Sequence, residues 1–177
     1  GLRYTDDEKS IRTRQQFLTL VNPAWVEASH DWQELTGKVT AEYALNDDTL
    51  LFATLARGYK AGGLNPGGPS GGALFKPEYI NQFELGSKNT LADGRLLANF
   101  GAFYYDYEDL QIGQVSETSA VTVNGNAVVM GAEAEFTYLA SSALEFDLTV
   151  SLLDLELDDF QSGDEGDPNG IAPGTVA

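Results

Sequence analysis

Residues 127–139 read AVVMGAEAEFTYL, and their alternation decides the fold class. The even positions carry Val128, Met130, Ala132, Ala134, Phe136 and Tyr138. The odd positions include Gly131, Glu133, Glu135 and Thr137. Successive side chains of an extended chain point to opposite sides, so this stretch makes a strand with one apolar and one polar face. A helix would scatter the two sets around its axis.

Neighbouring runs repeat the pattern. Leu144, Phe146, Leu148, Val150 and Leu152 share one face, with Glu145, Asp147, Thr149 and Ser151 on the other. The phase then inverts: Leu153, Leu155 and Leu157 alternate with Asp154, Glu156 and Asp158. A bulge, or the end of the buried span, accounts for the inversion. Upstream, residues 95–107 set Leu96, Ala98, Phe100, Ala102 and Tyr104 against Arg95, Asn99 and Gly101. Residues 79–90 set Tyr79, Phe83 and Leu85 against Gln82, Glu84 and Lys88. Residues 37–45 set Val39, Ala41, Tyr43 and Leu45 against Lys38, Thr40 and Glu42. Residues 50–58 are apolar on both faces, and residues 10–20 alternate poorly. Residues 1–5 resemble a strand end, with a turn over Thr5 to Lys9.

The connections alternate in length. Asn46-Asp47-Asp48, Ala92-Asp93-Gly94 and Ala140-Ser141-Ser142 have tight-turn chemistry. Val21 to Asp31 and Lys60 to Pro77 are long, and Gln111 to Asn126 reads as a hairpin that outgrows the main sheet. Barrels of the bacterial outer membrane place short turns at the periplasmic end and long loops outside. A β-sandwich has no reason to put every long loop at one end.

Composition narrows the function classes. The chain has 177 residues and a net charge of -17. Such a surface repels nucleic-acid phosphates, so no nucleic-acid partner is expected. Cysteine is absent, which excludes disulfides, zinc–thiolate sites and thiol catalysis. No run approaches the ~20 apolar residues of a transmembrane helix, but a transmembrane strand needs only about 9–11. The segment Gly68-Pro69-Ser70-Gly71-Gly72 matches G-x-S-x-G, yet it lies in a Gly/Pro loop rather than a strand–turn–helix elbow. The acids Asp158, Asp159, Asp164, Glu165 and Asp167 with Asn169 lack the spacing of an EF-hand loop. No catalytic residue, cofactor site or metal site is therefore expected, and the chain is not read as an enzyme.

Several segments together resemble TonB-dependent outer-membrane receptors. They are LFATLARGYKAGGLN at 51–65, PEYINQFELGSK at 77–88, DGRL at 93–96, FYYDYEDLQ at 103–111 and GAEAE at 131–135. The first five residues, Gly1 to Thr5, fit a strand end before a periplasmic turn. The likeness covers nearly all of residues 1–160, and it rests on the order and spacing of motifs that are individually weak.

Membership would imply an all-β fold: an antiparallel transmembrane β-barrel segment of meandering hairpins within a larger barrel of about 22 strands. Residues 1–177 would be a partial barrel domain of about seven strands with long external loops, without the plug or the C-terminal strand. The location would be the outer membrane of a Gram-negative bacterium. Partners would be outer-membrane lipid, the plug of the same receptor, the TonB complex, and an iron–siderophore chelate or similar scarce nutrient. The alternative is a secreted or cell-surface β-sandwich binding module, which would bury the apolar face that a barrel wall exposes.

Two groups of site residues follow. Glu133, Glu135, Glu145 and Asp147 are expected to face the lumen on adjacent strands and to meet basic groups of the plug or of neighbouring strands, or else water. Trp25, His30, Trp32, Tyr59 and Lys60 are expected on external loops as ligand contacts. Tyr43, Phe136 and Tyr138 sit close to short turns, where a periplasmic aromatic girdle would lie.

Overall fold

The computed structural model describes residues 1–14, 16–17, 20–21, 25–65, 73–115 and 120–158. Its strands are β1 (Leu2–Thr13), β2 (Gln16–Phe17), β3 (Leu20–Val21), β4 (Val26–Asn46), β5 (Thr49–Lys60), β6 (Gly63–Asn65), β7 (Ala73–Phe75), β8 (Glu78–Leu91), β9 (Leu96–Val115), β10 (Ala120–Ser141) and β11 (Leu144–Asp158). Seven of them form one sheet in the order β1-β4-β5-β8-β9-β10-β11. Every neighbouring pair is antiparallel. The pairs β2–β3 and β6–β7 are small separate ribbons.

The tight turns fall where turn chemistry puts them. Asp48 N–H donates to Asn46 Oδ1 at 2.9 Å, closing β4 onto β5. Ala92, Asp93 and Gly94 all take positive φ, of 54°, 56° and 81°. Left-handed backbone is easy for glycine and tolerated by Asp, and it matches the twist of a hairpin. These turns and Ser142–Ala143 lie at one end of the sheet. The β2–β3 and β6–β7 ribbons lie at the other.

Four sequence expectations are corrected. No turn occurs over Thr5 to Lys9: β1 continues to Thr13, paired residue for residue with β4 from Leu2↔Gly37 to Thr13↔Val26. The charges that suggested a turn are cross-strand partners, Asp7 opposite Trp32 and Lys9 opposite His30. The loop expected from Val21 to Asp31 is therefore shorter, because β4 begins at Val26. The connection Lys60 to Pro77 contains the β6–β7 ribbon. No bulge marks the phase inversion in β11, since Ala132↔Leu152 and Gly131↔Leu153 pair in unbroken register. The inversion marks the end of the apolar span. The expected long hairpin over Gln111 to Asn126 is present, as β9 and β10 stay paired up to Val115↔Ala120.

Among the described residues, no second layer covers this sheet. Among the described residues, the buried hydrophobic side chains are Trp32, Ala61, Ala98 and Ala127 alone, while Val39, Leu55, Leu148 and Leu152 stand well exposed. A sandwich of this composition would bury such residues.

Candidate functional site: the apolar band and the rim above it

Cross-strand register fixes which side chains share a face, because directly opposed residues point the same way. One row runs Leu2, Gly37, Arg57, Asn81, Asp106, Val128, Glu156. Toward the tight turns the same face carries Val39, Leu55, Phe83, Tyr104 and Met130, then Ala41, Ala53, Leu85, Ala102, Ala132 and Leu152. Beyond them come Tyr43, Leu51, Phe100, Ala134 and Val150, then Ala98, Phe136 and Leu148, and finally Leu91, Leu96, Tyr138 and Phe146. The face is a predominantly apolar band, interrupted by Thr49 on β5 and by Ser87 and Asn89 on β8, with aromatic residues at both margins.

The band slants across the strands. Its upper limit is Tyr4 on β1 but Leu152 on β11. The row through Tyr4 meets β11 at Asp158, two residues beyond Glu156, so the limit drops six residues (152 to 158) across the sheet. At about 3.3 Å per residue and about 4.8 Å per strand spacing, that drop corresponds to strands tilted roughly 35° from the band's normal. The lower limit, from Tyr43 on β4 to Phe146 on β11, gives about 30°. On β9 the band runs from Leu96 to Tyr104, about 27 Å along the strand and about 22 Å in height after tilt. Outer-membrane barrels tilt their strands about 35–45° and carry an apolar belt about 25 Å tall.

The opposite face is mostly polar and closely tied, with Phe52 and Phe103 among its large apolar side chains. Thr40 and Thr54 hydroxyls meet at 3.0 Å, and Tyr105 donates to Glu84 at 2.7 Å. Glu133, Glu135, Glu145 and Asp147 all lie on this face. Glu133 accepts from Ser151 at 3.3 Å and Asp147 from Thr137 at 2.7 Å. Glu135 stands between Asn99 and Thr149, and Glu145 opposite Leu139. Among the described residues the four acids enter no ion pair.

Above the band, the wall continues as a polar rim. Arg57 marks its edge: Nη1 donates to Asn81 Oδ1 at 2.6 Å, lies 3.6 Å from Glu108, and its guanidinium stacks 4.5 Å from the Tyr79 ring. Tyr79 donates to Glu34 of β4, across the intervening β5, at 2.9 Å. Burial first, then this hydrogen bond to a carboxylate, push the Tyr79 hydroxyl up to about 12. Burial and the carboxylates of Asp7 and Glu34 also raise Tyr59.

The five external candidates do not form one surface. Trp25 is half-exposed, with Arg12 and Arg14 guanidinium groups 4.6 and 5.0 Å from its ring. His30 and Trp32 are strand residues of β4, and Tyr59 and Lys60 are the last residues of β5, correcting the expected loops. His30 is exposed and packs edge-on to Trp32 at 4.7 Å. Trp32 is only 8% exposed. Tyr59 is half-buried, 5.6 Å from the Tyr79 ring. Lys60 is exposed, 3.7 Å from Glu78. The external stretches 66–72 and 116–119, and the acidic tail after Asp158, lie outside the described residues, as does the G-x-S-x-G segment.

Sequence reading missed Lys9 and Glu34 as rim residues, and it missed the partners of Gln111 and Asn124. Their partners lie tens of residues away, so no local pattern announces them.

Comparison with known proteins agrees with this geometry. The family model described as TonB dependent receptor-like, beta-barrel, matches residues 1–176. Pesticin receptors of Yersinia enterocolitica and Yersinia pestis are 28% identical over 158 residues, 86% of this chain and 23% of theirs. The crystal structure of the ferric yersiniabactin uptake receptor FyuA from Yersinia pestis superposes with a TM-score of 0.74 at 23% identity, covering 89% of this chain and 24% of that one. The copper transporter OprC superposes at 0.68 with 18% identity, covering 88% and 26%. The chain thus spans about a quarter of the length of the relatives it matches. By family match, strand architecture and tilted apolar band, the chain is a segment of the β-barrel of the TonB-dependent receptor family.

Proposed function

We propose that this chain is part of the outer-membrane wall of an uptake receptor in a Gram-negative bacterium, and that the complete protein imports a scarce metal chelate. Ferric siderophores are the first cargo to try. The slanted apolar band carries this reading: its tilt and height match a hydrocarbon layer, and a wall of that kind has no use in a soluble protein. The protein is then a transporter, not an enzyme.

The band meets lipid and the polar face meets the barrel interior. Glu133, Glu135, Glu145 and Asp147 face the plug there, and basic groups of the plug answer them. Carboxylates left unpaired in a poorly solvated interior are costly, which favours pairing. The TonB complex supplies energy through the plug. Cargo arrives at the rim, where Trp25, His30 and Lys60 are the open members of the candidate set and Tyr59 is partly so. Trp32 contributes by holding the rim rather than by touching cargo.

Deletion of the gene in its host, followed by uptake of radiolabelled ferric chelates with and without an intact TonB complex, tests the reading. Loss of uptake in both strains is the expected result. Uptake that survives loss of the TonB complex would overturn the transport mechanism. Intact iron uptake with loss of another nutrient would move the cargo and keep the mechanism.

A further inference from the structure

We propose that the adjacent main-chain carbonyls of Ala61 and Gly62 are a keystone that ties two tall hairpins into one rigid rim, with Lys9 as the positioning residue that closes the tie. The sheet is uneven above the band. Pairing of β4 with β1 reaches Val26 and pairing of β9 with β10 reaches Val115, but β5 and β8 stop pairing at Lys60↔Glu78. The β6–β7 ribbon stands in the gap.

That ribbon is held from both sides. From β1, Lys9 Nζ donates to Gly62 O at 2.7 Å and lies 3.5 Å from Ala61 O, with the Trp32 ring 5.7 Å away. From β9, Gln111 Nε2 donates to the same Ala61 O at 2.9 Å and to Lys76 O at 3.2 Å. From β10, Asn124 accepts from Lys76 N at 2.8 Å and donates to Lys76 O at 3.1 Å. Asn65 makes reciprocal 2.7 Å bonds with the Thr122 main chain. The adjacent carbonyls of Gly62 and Ala61 therefore join β1 to β9, strands separated in the sheet by β4, β5 and β8.

The close approach depends on glycine. A Cβ on Gly62 would lie 2.9 Å from the Trp32 ring and 2.5 Å from Phe75 O. Ala61, Gly62 and Gly63 are buried, so their carbonyls need internal donors. An ammonium donor is stronger than a neutral one, which makes Lys9 the largest single tie on the β1 side. The rim moves as one body rather than as independent loops. This holds whether or not the complete protein imports a ferric chelate.

Hydrogen–deuterium exchange on the complete protein in detergent tests it. Lys9→Met should raise exchange over residues 61–65 about tenfold, with residues 96–104 unchanged. Lys9→Arg, which keeps charged donors, should restore protection. Unchanged exchange in a folded Lys9→Met protein would overturn the proposal. So would failure of Lys9→Arg to restore protection, because packing rather than the hydrogen bond would then be the tie. If Lys9→Met does not fold, Gln111→Met removes the donor on the other side and should loosen the same residues; no change there would likewise overturn it.

Discussion

Phe103 on β9 reaches over Gly131, its directly opposed partner on β10: a Cβ built on Gly131 would lie 2.6 Å from the ring. It would also lie 2.5 Å from Leu152 O, so backbone as well as side chain blocks the position. Phe52 covers Gly86 in the same way on β5 and β8. Gly131→Ala should therefore destabilise the barrel by about 1–3 kcal/mol through overpacking. Gly101 is the control, since nothing lies within 4 Å of its would-be Cβ. Urea unfolding of the complete protein in lipid should separate the two variants; equal midpoints would refute the packing argument.

Phe100 lies midway along the apolar band on β9, and Asn99 beside it faces the other way. If the band meets lipid, Phe100→Arg places a charge near mid-membrane and should cost about 2–4 kcal/mol of folding free energy. Asn99→Arg, on the polar face beside Glu135, should cost far less. Folding yields into vesicles across a urea series would measure both. Similar losses for the two would mean that the band is not the lipid face.

The wall was legible in the sequence because one rule, apolar on one face and polar on the other, holds on most strands of the band. Phe100, Ala134 and Leu148 each alternate with polar neighbours, and the period appears without knowledge of their partners. Above the apolar band that rule lapses. Asp6, Asp7, Glu8 and Lys9 have the composition of a turn, yet β4 holds them extended. The inversion at Leu153 has the look of a bulge, but it records a change of surroundings along a straight strand. The bond from Lys9 to Gly62 joins residues 53 apart, beyond the reach of any local pattern. Of the candidate site residues, the acids of the polar face could be placed by alternation alone. Trp32 could not, because its burial comes from β1 and from Gly62.

Tyr79 and Glu34 give the rim a pH dependence. The hydroxyl donates only while protonated, and its folded value is raised from 10.0 to about 12. A raised folded value means that the stabilising contribution is complete below pH 10 and is lost as pH rises from 10 toward 12. Tyr79→Phe should thus lower stability relative to wild type at pH 8, with the gap closing above pH 10. Thermal unfolding of both proteins at pH 8 and pH 11.5 would check the sign; a gap that widened at high pH would contradict it.

Glu133 and Glu135 point from the polar face two residues apart on β10, with Ser151 and Thr149 opposite them on β11. The Ser151 hydroxyl satisfies one Glu133 oxygen, which leaves capacity for a charged partner from the interior. If that partner is a basic group of the plug, Glu133→Gln with Glu135→Gln removes the charge while keeping size and acceptors. The plug should then leave the barrel more readily, and cargo uptake should change while the apolar band and the rim stay as they are. Limited proteolysis of the plug in the complete protein reads the first effect directly. Identical plug protection and identical uptake in the double variant would mean that these acids are met by water, and their place on the wall would be a matter of solvation alone.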